Sequence, residues 1–258
     1  MSDNLQPRGS DDATFAQPLY TPIKRRSFFM YAGATAGASA LVLAGCSKDS
    51  DPVKPNLPAG NSTTADGSIS LGSGDVGVLN YAYALEQLEA DFYSKVAALS
   101  NGASLLGATE FSYFQQVAKH EAIHRDFFKA ALTRDAAGQV LRGLTPKYPA
   151  GTFDSRTTIL ATAKAFEDLG VAAYNGAGKL IKMPAYLVIA GQIVSVEARH
   201  AAYIRDLVAP GSFAEDGNAS TSVNAQGLDL VMAPSAVLAV AQGFITEKLD
   251  GSSIGVNA

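Results

Sequence analysis

Two segments of this chain carry the same pattern, Glu121-Ala122-Ile123-His124 and Glu197-Ala198-Arg199-His200, and each follows a lone glutamate on an earlier helical stretch, Glu86 and Glu167. The flanks repeat as well: Ala84-Leu85-Glu86-Gln87-Leu88 with Tyr93 aligns on Ala165-Phe166-Glu167-Asp168-Leu169 with Tyr174. A chain written this way is two copies of a helix pair. One pair cannot bury its apolar face alone, so the copies must stack. The expected fold is all-α, a four-helix bundle with a pseudo-twofold axis near which the four marked positions converge.

The helix boundaries follow from caps and periodicity. The first predicted helix covers about 75–99, with Asp75 placed to cap it and Val76, Leu79, Ala82, Leu85 and Phe92 in its apolar stripe. The second takes Thr109 as its cap, sets Glu110 where the helix dipole favours an acid, and runs past Phe127, Phe128 and Leu132, all three read as core, to Gly138. A loop with Pro146, Pro149 and Gly151 follows. The third starts at Asp154 or Ser155 and ends at Gly176 and Gly178; the fourth starts with Pro184 in its first turn and continues to about Val208. Residues 211–227 read as loop and 234–242 as one short extra helix. The bundle is therefore assigned to 75–210, and 211–258 to a C-terminal loop and short helix.

On an α-helix, residues three apart lie about 60° apart around the axis and one turn apart along it, so the Glu and His of each motif point to one interior spot. A carboxylate buried among Leu, Ile and Phe is protonated or destabilising unless something positive sits beside it. Four together call for cations between them, and two metal ions would serve. The single cysteine excludes an intrachain disulfide and a thiolate zinc site. Mixed oxygen and imidazole donors at an open site favour iron or manganese. A formal charge of -4 and the lack of any DNA-reading motif leave no footprint for nucleic acid.

The N-terminal region reads as an address. Lys24-Arg25-Arg26-Ser27-Phe28-Phe29 opens a mildly apolar run that ends in Leu43-Ala44-Gly45-Cys46. This resembles a twin-arginine export signal joined to a lipoprotein cleavage box, and the run falls short of the ~20 strongly apolar residues of a membrane span. The expectation is a signal peptide over 1–45 and a lipid on Cys46, the first residue of the mature chain. A flexible tether rich in Ser, Asp, Pro and Gly follows over 46–74. The chain would then be a membrane-anchored lipoprotein of the cell envelope, facing the periplasm or the surface. Twin-arginine substrates cross the membrane folded, so metal would be loaded before export.

Beyond the ligands, residues 165–174 and Val196-Glu197-Ala198-Arg199-His200-Ala201-Ala202 resemble the ferritin-like domain family, in the branch of exported bacterial proteins and plant desiccation-related proteins. Its di-iron and di-manganese carboxylate members supply the template for this donor set. The resemblance implies a ferritin-like bundle with Glu121 and Glu197 bridging two metal ions. Glu86 and Glu167 would be terminal carboxylates, and His124 and His200 would give one imidazole per metal. It implies oxidation of ferrous iron or removal of peroxide, with O2 or peroxide as small-molecule substrate, and it admits a homodimer. The rival expectation is a non-enzymatic stress or scaffold protein in which metal only staples the bundle or is absent.

Four more residues stand close to this set. Glu89, three after Glu86, could replace it or add a carboxylate, but its repeat partner is Gly170, so Glu86 is preferred. His120 precedes Glu121 and is read as a neighbour of the ligands or a surface residue. Tyr93 and Tyr174, seven after the lone glutamates, are read as core with a hydroxyl on a ligand carboxylate, a radical or relay role being the alternative. Arg199 either pairs with a buried acid such as Asp168 or reaches solvent.

Overall fold

The computed structural model describes residues 62–214, 223, 224 and 226–255. The expected signal over 1–45, Cys46 and the tether as far as residue 61 lie outside the described residues. Four long helices carry the fold: α1 (Gly74–Ala97), α3 (Ala108–Ala136), α4 (Arg156–Gly178) and α5 (Pro184–Val208). A short α2 (Gly102–Leu106) joins the first pair, α6 (Pro234–Ala241) follows the bundle, and β1 (Ile69–Ser70) pairs in parallel with β2 (Leu249–Asp250). The chief packing partners are α1 with α3 and α4 with α5, the two repeats read from the sequence, and α1 meets α4 across the axis. The protein is an all-α bundle.

Helix α1 is buried on nearly every side, from Val78 to Val96. A helix apolar all round belongs at the centre of a protein, and its outer face is covered by the 137–155 connection. Asn80, fully buried, fixes that cover: its amide donates to the carbonyls of Leu71 (3.0 Å) and Gln139 (2.8 Å), and its oxygen accepts from the Leu141 N–H (2.9 Å). Farther along, Gln87 accepts from the Leu144 N–H and the Tyr148 hydroxyl donates to Asp91. The far end of the core is aromatic, with Phe92 in contact with Tyr93, Tyr148, Phe153 and Phe166, and Phe166 edge-on to Phe244.

Several helix starts differ from expectation. Ser73, not Asp75, is the N-cap of α1. The Asp75 carboxylate instead accepts the backbone N–H groups of Lys182 (2.7 Å) and Met183 (2.8 Å), tying α1 to the α4–α5 turn. Thr109 lies inside the first turn of α3, which begins after Gly107 at φ +79, a backbone conformation that side chains with a Cβ rarely adopt. For α4 the second of the two candidates holds: Ser155 is the cap, in a reciprocal capping box with Thr158. The α4 end at Gly178 and the α5 start at Pro184 fall where the glycines and proline placed them.

The stretch read as the end of the tether holds structure. Ile69 and Leu71 are 1% and 0% exposed, and β1 finds its partner near the other end of the chain. Two apolar residues spaced for a strand are too weak a local signal, and the strand exists because β2 comes to it. Among the described residues of 211–227 there is one short turn of 3-10 helix, Ser212–Ala214. Gly176 lets the segment before α6 cross α4 closely: a Cβ there would lie 1.7 Å from the Met232 carbonyl oxygen, and the Met232 N–H bonds the Ala172 carbonyl. Among the described residues no helix is long and apolar enough to cross a membrane.

Candidate metal centre

Each long helix delivers its marked residues to the middle of the bundle. Glu86, Glu121, Glu167 and Glu197 are all 0% exposed, His200 4% and His124 9%. Two groups form. One holds Glu86, Glu121, His124 and Glu197, the other Glu121, Glu167, Glu197 and His200, with the donor atoms of each group within 4.8 Å of one another.

The oxygens are shared in an orderly way. His124 Nδ1 lies 2.7 Å from Glu197 Oε1, 3.5 Å from Glu121 Oε2 and 3.7 Å from Glu86 Oε2. His200 Nδ1 lies 3.0 Å from Glu121 Oε1, 3.5 Å from Glu197 Oε2 and 3.6 Å from Glu167 Oε2. Glu121 and Glu197 thus turn one oxygen to each group, while Glu86 and Glu167 give one oxygen each. Their second oxygens are engaged across the repeats, because the Tyr174 hydroxyl donates to Glu86 Oε1 and the Tyr93 hydroxyl to Glu167 Oε1.

These contacts are close but not aligned as hydrogen bonds. Both oxygens of Glu121 and Glu197, Oε2 of Glu86 and Glu167, and Nδ1 of both histidines are buried without a hydrogen-bond partner. Buried polar atoms in that state are costly. Eight of them converging on two points fit a pair of metal ions, which would take both the lone pairs and the charge. Oxygen and imidazole donors in this ratio suit iron or manganese.

The electrostatics make the same demand. Burial first, then the charges of Glu197 and Glu121, hold Glu86 and Glu89 well above the usual carboxylate range. Burial lifts Glu167 to about 8 against the pull of His200. Burial also opposes a proton on the imidazoles, yet the approach of Glu121 and Glu197 outweighs it and brings His124 up to about 10. The approach of Glu121, Glu167 and Glu197 brings His200 up to about 12. Glu197, raised by burial, is carried down to about 2 by the two histidines. Without metal, two imidazolium protons supply the positive charge the carboxylates require. A metal ion bound there would take over that role by displacing them.

The neighbouring candidates separate. Glu89 is buried, yet neither donor group includes it; it occupies the space opposite Gly170, where a Cβ would stand 2.9 Å from its Oε1. That explains why the repeat has glycine there. His120 is exposed, and its Nδ1 lies 2.9 Å from His200 Nε2 with the rings stacked, so it holds the back of an imidazole whose front faces the centre. Residues 120–124 also have the His-Glu-x-x-His spacing of a zinc metalloprotease helix. The structure rules out that use, since only His124 of the two imidazoles turns inward.

Arg199 does not reach Asp168: it is exposed and donates to Ser195 Oγ. Asp168 is held by Arg205, 2% exposed, in a two-pronged contact at 2.6 Å per bond that clamps α5 to α4, with Lys164 of its own helix donating to the same carboxylate at 3.0 Å. Arg205 lies outside both motifs, and its polar appearance at the end of an amphipathic helix gave no reason to choose it.

No curated protein matches the sequence. The family model described as the ferritin-like domain matches residues 74–210, more than half of the chain, which spans the four long helices and every residue of both donor groups. The chain belongs to the ferritin-like domain family.

Proposed function

We propose that this chain holds two iron ions, or iron with manganese, between Glu86, Glu121, His124, Glu167, Glu197 and His200, and uses them to oxidise ferrous iron or to reduce peroxide. The observation that carries the reading is the convergence of eight buried, unpartnered donor atoms on two points, with Glu121 and Glu197 facing both. Held by these residues, a pair of ferrous ions would supply two electrons, enough with two protons to take dioxygen to hydrogen peroxide or hydrogen peroxide to two waters. The chain's own residues set the conditions. Tyr93 and Tyr174 orient Glu167 and Glu86 from across the axis, His120 steadies His200, and the apolar helices keep bulk water from the oxygens.

Elemental analysis of natively expressed protein, followed by ferrous iron and peroxide consumption, tests this directly. Metal in the purified chain and turnover lost together in Glu121→Ala and His200→Ala are the expected results. Protein with no metal, or variants that keep both properties, would overturn the reading. A second reading, metal as a structural staple, is favoured by the single cysteine, which leaves no cysteine cluster to bring in electrons. Metal present with no turnover selects it. Export by the twin-arginine route and a lipid on Cys46 belong to the same proposal. Mass spectrometry of the mature N-terminus should find a diacylglyceryl cysteine at position 46, and an unprocessed or unlipidated terminus would remove the anchor.

A further inference from the structure

We propose that the apolar cavity at the Tyr174 end of the bundle is a binding site for dioxygen on its way to the centre, a route that favours dioxygen over peroxide. The role rests on the two-metal reading above.

All four long helices wall the cavity, with Ala82 and Leu85 from α1, Phe128 from α3, Tyr174 and Ala177 from α4 and Ala190 from α5 among its lining. Counted for the centres of water-sized molecules, its volume is about 30 Å³. One water needs roughly 10–15 Å³ on that measure, so the space suits one or two diatomic molecules and excludes a sugar, peptide or flavin. The wall is carbon except for phenols. The Tyr174 hydroxyl is used on Glu86 and that of Tyr186 on Asp135. Tyr81, 1% exposed, has a buried hydroxyl with no partner, and burial holds its proton in place. Peroxide entering such a space would give up most of its hydrogen bonds to water, whereas an apolar diatomic gives up none.

The position of the cavity in the repeat adds to its chemistry. Tyr174 is both wall and link, since its hydroxyl bonds Glu86 Oε1 and the other Glu86 oxygen faces His124. Its repeat mate Tyr93 is 0% exposed and packed against the rings of Phe92 and Phe114 at 5.1 and 5.8 Å. Both ends carry rings, and Phe128 lies 6.3 Å from Tyr174, but at the Tyr174 end Ala82, Ala173, Ala177 and Ala190 leave room between them. On the outer side Phe127, Ile181, Ile189 and Ala190 are only half-buried, a thin rim that side-chain motion opens to a small gas.

Xenon, an apolar probe that needs no metal, reads the site apart from turnover. In the full chain without metal, xenon should shift the methyl resonances of Leu85 and Ala177, and the shift of Leu85 should be lost in Ala177→Phe and in the rim variant Ala190→Phe. Ala190 is half-buried, so the second variant stays informative if the first does not fold. In metal-loaded protein both variants should raise the half-saturating dioxygen concentration about tenfold while the rate at saturating dioxygen and the metal content hold. The absence of xenon shifts in the parent overturns the proposal, as does unchanged dioxygen dependence in both variants at full metal content. A parent that takes up xenon but binds no metal overturns the two-metal reading and the delivery role with it.

Discussion

Glu121 and Glu86 both sit fully buried in the centre, but only Glu121 turns an oxygen to each histidine. Loss of Glu121 should therefore empty both positions, whereas Glu86→Ala should spare the one built on Glu167 and His200. Metal per chain, measured on purified variants, should fall to near zero in the first and to about half in the second, following the donors removed. The protons give a matching pH dependence. His124 and His200 are held up to about 10 and about 12, so both stay protonated in the metal-free protein from pH 6 to 8, and Glu167, raised to about 8, is largely protonated below that value. Metal must displace these protons. Affinity should rise with pH by at least about tenfold per unit across that window, with proton release on loading visible in calorimetry run in buffers of different ionisation heat. Affinity that does not change with pH would mean that the imidazoles enter without protons to lose.

Between elements, the sequence marked the helices well and their attachments poorly. Pro184 and Gly178 placed two helix ends because φ preferences act locally. Asp75 has the chemistry of a cap, but a carboxylate that finds two N–H groups in the α4–α5 turn serves there instead. Gly176 reads from the sequence as a helix stop, whereas the structure shows the helix continuing through it and the Met232 carbonyl lying against it. Gly176→Ala should consequently lower stability by about 1–3 kcal/mol, despite the better helix propensity of alanine, because the added carbon has backbone and no movable side chain in its way. Thermal melts of the two proteins decide the sign. A variant as stable as the parent would show that the crossing segment moves aside freely.

For the whole molecule, the centre joins all four long helices, so a metal bound there would be coupled to the fold. Ligand held at about a thousand times its dissociation constant adds roughly 4 kcal/mol, which for a domain of this size is about 10 °C in Tm. Chelation should lower the melting temperature by that order, and the drop should vanish in Glu121→Ala. An unchanged melting temperature on chelation would mean that the bundle is held by its core alone.

The pattern of Glu86, Glu121, His124, Glu167, Glu197 and His200, together with the helix pair that carries it, was legible in the residues because helical periodicity sets which side chains share a face. Once the pair is duplicated, only stacking buries both apolar faces. What tertiary structure alone decided are contacts between residues far apart in the chain. These include the Arg205 partner of Asp168, the cross-repeat tyrosine bonds to Glu86 and Glu167, and the β1–β2 pairing of Ile69 with Leu249. They also include the cavity that packing left at one end of a nearly symmetric bundle. No local preference encodes these, because each depends on which surfaces meet after the helices have packed.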